Sequence, residues 1–273
     1  MKSEELTLTN FNGRAFRLRT YCAEVNPNLV TPQRPLIIVV PGGSFNHLAQ
    51  REGEPVALAY LSHGYNAAVM DYNLVQEPGN IYPDAALDLL TTVRYFRQHA
   101  SAYQLDPQQI VTAGFSAGGH VVSAANILAN MPKLAKRFGY VSDQVRPNAT
   151  ILGYPLINIE KVGFIIPEDQ KGKYPAEVEL LDTAKGVTPK HPVTFLFQAW
   201  DDPIVLITNS LEYLAALQAK QVSCEAHLFA HGGHGFSLAR PELDTEGCAW
   251  QNNPHASHWF KLSLEWLDQQ LGH

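Results

Sequence analysis

A serine in the middle of the chain is placed for nucleophilic chemistry. Ser116 lies in Gly114-Phe115-Ser116-Ala117-Gly118, which matches the pattern G-x-S-x-G. The apolar residues 110–115 predict a buried strand before it, and residues 117–130 predict a helix after it. A sharp turn between these elements needs small residues beside the serine. It also projects the hydroxyl above the sheet at a helix N-terminus, where N–H groups favour developing negative charge. This context predicts a nucleophile and makes an incidental serine in a glycine-rich turn the weaker interpretation.

A serine hydroxyl needs a base, and eleven histidines compete for that role. Where this motif tops an α/β sheet, the partners follow along the chain in the order serine, acid, histidine. That order removes the histidines before Ser116, and His120 follows too closely in the same helix. The segment 230–236 follows the last predicted strand and contains His231 and His234. We favour His234, which lies between two glycines, and we interpret His231 as a surface or loop-orienting residue.

The acid of such a site should follow the preceding strand, which is predicted at residues 193–198. Asp201 and Asp202 both lie there. A carboxylate in this place would hold the imidazole in the correct tautomer and stabilise its charged form. Adjacent side chains diverge, so one of the two faces the histidine, and the residues alone leave the choice open. We expect the other aspartate to cap the following turn.

Two backbone N–H groups should form an oxyanion hole. One belongs to Ala117, the residue after the nucleophile. The other should come from the turn 41–45, which follows the predicted strand 36–40 and contains Gly43 and Ser44. Each donor of this kind contributes roughly 3 kcal/mol to transition-state stabilisation. The position of the turn after the first buried strand favours this role over an ordinary Gly-Gly turn.

These residues require a scaffold in which strands and helices alternate, and the sequence predicts such an alternation. The alternation implies a mostly parallel sheet with helices on both faces, and Asn12-Gly13 is a hairpin signal that predicts an antiparallel N-terminal edge. We therefore expect an α/β fold in a single domain, 1–273. Strands are predicted at 5–9, 15–24, 36–40, 66–72, 110–115, 150–154, 193–198 and 225–229, and helices at 54–62, 83–102, 117–130, 209–219 and 259–271.

The segment 158–190 departs from this alternation. It is long, charged and broken by three prolines. Long irregular connections in compact domains tend to be lids or binding loops, so we interpret this segment as a short cap over the site. It mixes Phe164, Ile165 and Ile166 with charged residues, which makes it too polar to shelter a long acyl chain.

The composition argues against several classes of protein. With 20 Lys and Arg against 26 Asp and Glu, the formal charge is −6, which gives no reason to seek nucleic acid or an anionic membrane. No apolar run is long enough for a signal peptide or a membrane span, which predicts a cytoplasmic protein. The histidine spacing does not indicate a metal site. Cys22, Cys224 and Cys248 are far apart, and we expect buried free thiols rather than a disulfide framework.

Several motifs together resemble the esterase/lipase branch of the α/β hydrolases, especially small bacterial acetyl-xylan-esterase-like and carbohydrate acetyl-esterase proteins. The resemblance extends from about residue 36 to the C-terminus, and the serine motif with its following Gly-His is its most specific part. The motifs, in order, are Pro41-Gly42-Gly43-Ser44-Phe45, Tyr82-Pro83-x-x-Ala86, Gly114-Phe115-Ser116-Ala117-Gly118-Gly119-His120, Asp201-Asp202-Pro203-x-Val205 and Gly233-His234-Gly235-Phe236.

The resemblance implies an α/β-hydrolase fold, no cofactor, and small ester substrates with short acyl groups, often acetyl on sugars. It assigns the triad acid to Asp202 and the triad histidine to His234. The chain departs from related lipases at residues 41–44, where they carry His-Gly-Gly-Gly, and this makes Ser44 the implied oxyanion donor. It also has Leu206 where many relatives have proline. Neither departure removes a catalytic group.

Two other functions deserve comparison with ester hydrolysis. Peptidases on related folds usually carry a propeller or a large cap domain, and 273 residues leave no room for either. The fold also serves as a scaffold for non-catalytic ligand receptors. A complete set of triad residues favours an enzyme over a receptor.

Overall fold

A mixed sheet of eight strands runs through the described part of the chain, in the order β1-β2-β4-β3-β5-β6-β7-β8. The structure is a computed structural model that describes residues 1–24, 33–163, 167–175, 177–245 and 247–272. The strands are β1 (Lys2–Thr9), β2 (Ala15–Cys22), β3 (Arg34–Val40), β4 (Asn66–Asp71), β5 (Leu105–Phe115), β6 (Ala149–Gly153), β7 (Val193–Ala199) and β8 (Cys224–Phe229).

The first two strands form the antiparallel edge that the sequence predicts. β1 pairs with β2 around the turn at Asn12-Gly13, and β2 pairs antiparallel with β4. The Asn10 side-chain oxygen accepts the backbone N–H groups of Asn12 and Arg14, which fixes this turn. From β3 to β8 every pairing is parallel. The prediction of a mostly parallel sheet with an antiparallel N-terminal hairpin is therefore confirmed.

Helices cover both faces of the sheet, as the sequence predicts. Residues of β3 alternate between the two faces, with Ile38 in one core and Ile37 in the other. The helices are α1 (Glu54–Leu61), α2 (Asp84–Gln98), α3 (Ala100–Tyr103), α4 (Ala117–Ala129), α5 (Pro132–Phe138), α6 (Ser142–Val145), α7 (Glu168–Lys171), α8 (Val178–Leu181), α9 (Thr208–Ala219) and α10 (His258–Leu271). α1 and α10 pack on one face, and α2, α4 and α9 pack on the other.

Some element bounds differ from the prediction. The helix predicted at 83–102 ends at Gln98, and the short α3 follows it. β5 begins at Leu105, five residues before the predicted start, because Leu105 already pairs with Arg34 across an irregularity in the register. The short helices α5 and α6 lie in a stretch where no element is predicted.

The cysteines are free, as expected, but they are half-buried rather than buried. Cys22 is the last residue of β2, and Cys224 is the first residue of the edge strand β8. A strand end and a sheet edge leave a side chain incompletely covered, so the predicted burial is wrong.

The segment 158–190 forms short helical turns in its described part, namely α7, α8 and a 3₁₀ turn at Thr183–Gly186. An antiparallel β-bridge pairs Asn158 with Asp182, which brings the start of the segment beside the end of α8. Phe164, Ile165 and Ile166 of the predicted cap lie outside the described residues. No helix in the described ranges is both long and apolar enough to cross a membrane.

Candidate active site

Ser116 lies on a strained turn between β5 and α4. Its backbone has φ 51° and ψ −119°, a conformation that L-residues rarely adopt and that costs of order 1–3 kcal/mol. The side chain is almost buried, with 7% of the residue exposed. Two residues later, a Cβ on Gly118 would lie 2.0 Å from the carbonyl oxygen of Val40. Glycine is therefore required there for α4 to approach β3 and hold the serine at the end of the strands.

The three side chains predicted to form a triad are joined by hydrogen bonds. The Ser116 Oγ lies 2.8 Å from Nε2 of His234, and Nδ1 of His234 lies 2.7 Å from Oδ2 of Asp202. A carboxylate accepts hydrogen bonds but does not donate them, so Nδ1 carries the imidazole proton. Nε2 is then an acceptor that faces the serine hydroxyl. This is the tautomer that a general base needs.

Asp202 is held in place by hydrogen bonds to both carboxylate oxygens. Its Oδ1 accepts the backbone N–H groups of Ile204 at 2.9 Å and Val205 at 3.0 Å. Its Oδ2 accepts the amide of Gln198 at 3.2 Å in addition to His234. Ser210 in turn donates to Gln198 Oε1. The side chain of Asp202 is buried, so these contacts define its orientation towards the histidine.

The neighbouring aspartate has a different role from the one expected. We expected the aspartate that does not face His234 to cap the following turn, but Asp202 itself caps that turn. Asp201 reaches residues 230–237, which we call the histidine loop. Its Oδ1 accepts the N–H groups of Gly232 and Gly233, each at 3.0 Å, and its Oδ2 lies 3.0 Å from Nδ1 of His231. His231 thus helps to orient the loop.

The charge of Asp201 is favoured by the same contacts. Partial burial raises the pKa of Asp201, but the hydrogen bonds from Gly233, His231 and Gly232 outweigh it and hold the pKa below its usual value. The carboxylate is consequently ionised across the neutral and mildly acidic range.

The turn 41–45, which we call the oxyanion loop, brings Ser44 beside the serine. The carbonyl of Gly43 accepts the N–H groups of Asn46 and His47. Gly43 has φ 122°, and a Cβ there would lie 2.0 Å from the His47 oxygen, so only glycine fits. Ser44 follows in a left-handed conformation with φ 54°. Ser44, Ser116 and Ala117 line one cleft, while Gly43 shapes the turn behind it.

The cleft beside Ser116 is small and mostly apolar. Its volume of about 20 Å³ is close to the space that one or two water molecules occupy. Ile159, Val162 and Tyr174 of the segment 158–190 contribute to its wall, and the Tyr174 ring packs edge-on against Phe45 at 5.6 Å. The full lining consists of Ser44, Phe45, Ser116, Ala117, Leu156, Ile159, Val162, Tyr174, Ile204 and Val205.

A family model matches this chain over residues 25–217, and its description is BD-FAE. The match covers well over half of the chain. The chain belongs to the BD-FAE family of α/β hydrolases. The matched stretch contains Ser116 and Asp202 but ends before His234, so the case for the histidine depends on the hydrogen bonds described above.

Solved structures and curated relatives support the same family. The carboxylesterase Cest-2923 of Lactobacillus plantarum is 33% identical, with a TM-score of 0.91, and the alignment covers 99% of this chain and 98% of that one. The acetyl ester-xyloside bifunctional hydrolase of Caldicellulosiruptor lactoaceticus is 30% identical, with a TM-score of 0.74, over 95% of this chain and 89% of that one. The acetylxylan esterase of Xylanibacter ruminicola is 26% identical over 76% of this chain and 42% of its own length.

The curated relatives are longer than this chain. The chain spans 34% to 55% of the length of the relatives it matches.

Three polar residues near the site, Glu52, Tyr154 and Gln198, are not predicted from the sequence to belong to it. The sequence could have indicated a role for Gln198, because it is a polar residue near the end of the mostly apolar strand β7, and a buried polar side chain needs a hydrogen-bond partner. The sequence gives no such indication for Glu52, because its charged neighbours Arg51 and Glu54 are typical of an exposed segment. Among the described residues, no cluster of His, Cys, Asp and Glu is suited to hold a metal ion.

Proposed function

We propose that this protein is a serine carboxylic-ester hydrolase, with Ser116 as the nucleophile, His234 as the general base and Asp202 as the residue that orients the base. The observation that carries the proposal is the unbroken path of hydrogen bonds from Asp202 through His234 to Ser116. The strained turn and the helix N-terminus at Ser116 add support. Backbone strain of this kind is concentrated at active sites, and a helix N-terminus stabilises the negative charge that develops in the reaction.

The reaction proceeds in two halves. In the first, Ser116 Oγ attacks the ester carbonyl carbon while its proton passes to Nε2 of His234, and Asp202 stabilises the resulting imidazolium. The tetrahedral intermediate collapses to an acyl-serine as His234 returns the proton to the departing alcohol oxygen. In the second half, water attacks the acyl-serine with His234 again accepting a proton, and the carboxylic acid leaves as Ser116 is restored.

The backbone N–H groups of Ala117 and Ser44 act as the oxyanion donors in this proposal. Both residues line the cleft beside Ser116, whereas Gly43 serves the turn that presents Ser44. Donors in such fixed positions contribute about 3 kcal/mol each, because they need no reorganisation when the oxyanion forms.

The substrate in this proposal carries a short acyl group, with acetyl as the leading case. The small volume of the cleft, about 20 Å³, favours a short acyl group over a long chain. Segment 158–190 acts as a short cap within a single domain, since Ile159, Val162 and Tyr174 close the cleft. The names of two relatives, an acetylxylan esterase and an acetyl ester-xyloside hydrolase, support acetylated sugars as substrates.

The experiment that tests the proposal measures kcat/KM for p-nitrophenyl esters from acetate to decanoate, together with a panel of acetylated sugars. We expect a maximum at acetate or propionate and turnover of at least one acetylated sugar. Each methylene that found an apolar pocket would add about 0.8 kcal/mol of binding, so an enzyme for long chains would show a rising series. A maximum at octanoate or longer contradicts the short-acyl part of the proposal.

The matched control is Ser116→Ala, which should reduce kcat by about 10⁶ while it leaves the melting temperature close to that of the wild type. An alanine variant with more than a few per cent of wild-type activity overturns the assignment of the nucleophile. No turnover of any ester by the wild type would instead favour a ligand receptor.

A further inference from the structure

Glu52 is a buried carboxylate that the proposed reaction does not use. It lies at the end of the 3₁₀ turn Gln50–Glu52, between the oxyanion loop and α1, and only 3% of the residue is exposed. A buried ionisable group is costly unless its oxygens accept good hydrogen bonds. Both oxygens of Glu52 do so, and the donors belong to two different parts of the site.

One oxygen holds the oxyanion loop. Oε2 accepts the backbone N–H of Gly42 at 2.7 Å. Gly42 packs so tightly that a Cβ there would lie 2.8 Å from this oxygen and 2.8 Å from the Cβ of Ser116. The bond therefore fixes the loop directly beside the nucleophile and two residues before Ser44.

The other oxygen holds the histidine loop through a tyrosine. Oε1 accepts the hydroxyl of Tyr154 at 2.7 Å, and the same hydroxyl oxygen accepts the N–H of Ser237 at 3.0 Å. The Tyr154 ring also packs edge-on against the His234 ring at 5.1 Å. Tyr154 is fully buried, so this route from Glu52 to the histidine loop is shielded from water.

We propose that Glu52 is a positioning residue that ties the oxyanion loop to the histidine loop, so that the oxyanion donor at Ser44 and the base at His234 keep their places around Ser116. The inference rests on the proposed function, because it assigns Glu52 a part in the same reaction. A carboxylate suits the role because it offers an acceptor to both donors. A glutamine of the same shape offers one acceptor, and its NH₂ group would face either the Gly42 N–H or Tyr154.

The test compares Glu52→Gln and Tyr154→Phe with the wild type on p-nitrophenyl acetate. We expect kcat to fall about 10- to 100-fold in each variant with KM changed less than about twofold, because a displacement of about 1 Å at a site costs about that much. Tyr154→Phe keeps the ring against His234 and removes only the hydroxyl that joins Glu52 to Ser237. Glu54→Gln is the matched control, since it removes the same charge two residues away on the surface, and it should behave as the wild type.

The second readout is inhibition by a small alkyl boronic acid, which forms a tetrahedral adduct that resembles the transition state. Such analogues follow transition-state stabilisation and not substrate binding. We expect the inhibition constant to rise by the same factor by which kcat falls. A lower melting temperature with unchanged kcat and boronate inhibition would show a purely structural role and overturn the proposal.

The outcomes separate this inference from the proposed function. A wild type that neither hydrolyses esters nor binds the boronic acid contradicts the proposed function. An active wild type with active Glu52→Gln and Tyr154→Phe variants contradicts only the positioning role. If Glu52→Gln does not fold, the nearly isosteric Tyr154→Phe decides the question.

Discussion

The serine turn and the histidine loop meet at one site but are held in different ways. Backbone contacts hold the serine turn: the Ser116 N–H donates to Gly153, Leu156 donates to the Ser116 carbonyl, and Gly118 lies against β3. Side chains from other elements hold the histidine loop. Asp201 binds its beginning, and Tyr154 binds its end. A turn held by backbone packing tolerates little change, whereas a loop held by several side chains loses its position in steps.

Among the changes that test this contrast, the largest effect is expected at Asp202, which orients His234 towards the serine turn. Asp202→Asn should lower kcat by about 10⁴, because an amide facing Nδ1 stabilises the imidazole tautomer that cannot accept the serine proton. The melting temperature should fall only modestly, because the bond from Gln198 is lost but the amide oxygen can still accept the N–H groups of Ile204 and Val205. The measurement is kcat on p-nitrophenyl acetate.

The control for this variant is the same substitution at the adjacent residue, Asp201→Asn. A loss of similar size in both variants would mean that both aspartates orient His234. It would contradict the assignment of Asp202 to the triad and of Asp201 to the histidine loop.

An intermediate effect is expected from a change that tests the tolerance of the serine turn. Gly118→Ala places a methyl group 2.0 Å from the Val40 oxygen, and because that neighbour is backbone, α4 must move. We expect kcat/KM to fall at least about 100-fold, and the melting temperature to fall as well, as overpacking typically costs 1–3 kcal/mol. Gly172→Ala is the matched control, because a Cβ there meets nothing within 4 Å. Wild-type kinetics for Gly118→Ala would refute the claim that packing fixes this turn.

The smallest effect is expected from loosening one anchor of the histidine loop. Asp201→Asn keeps an acceptor for one or two of the three donors, so kcat should fall about threefold to tenfold. The pKa of Asp201 is depressed in the folded protein. Its stabilising contribution is therefore present above the ordinary carboxyl pKa and is lost as the pH falls through the folded value. The difference in melting temperature between wild type and variant should accordingly persist from pH 8 to pH 5.5, and a difference that disappears by pH 5.5 contradicts the assignment.

The same contrast explains what the sequence could predict. The small residues that allow the serine turn lie within a few positions of Ser116, so the apolar periodicity and the pattern G-x-S-x-G reveal the turn, although its backbone partners at Gly153, Leu156 and Val40 are distant in sequence. The anchors of the histidine loop come from elsewhere: Asp201 lies 31 residues before Gly232, and Tyr154 lies 83 residues before Ser237. No local pattern records such pairings, so Glu52 and Tyr154 were not predicted as part of the site.

The secondary structure could likewise be predicted where it depends on local patterns, and not where it depends on partners distant in sequence. The long strands and helices with strong apolar periodicity were predicted to within a few residues. Short helices such as α5 and α6 have too few turns for a period to be recognised. β5 extends back to Leu105 because of a partner, Arg34, that lies 71 residues earlier in the chain (105 − 34).

The distance along the chain between Ser116 and His234 has a consequence for biosynthesis. Ser116 and His234 are separated by 118 residues. At a translation rate of about 5–20 residues per second, roughly 6 to 24 s pass between the synthesis of the two. During this time β6, β7 and β8 are made in turn, and the growing edge of the sheet stays unpaired until each next strand is added. Under the proposed mechanism, the ribosome-bound chain thus holds Ser116 without its base, and it gains reactivity only after β8, the last strand of the sheet, has been added.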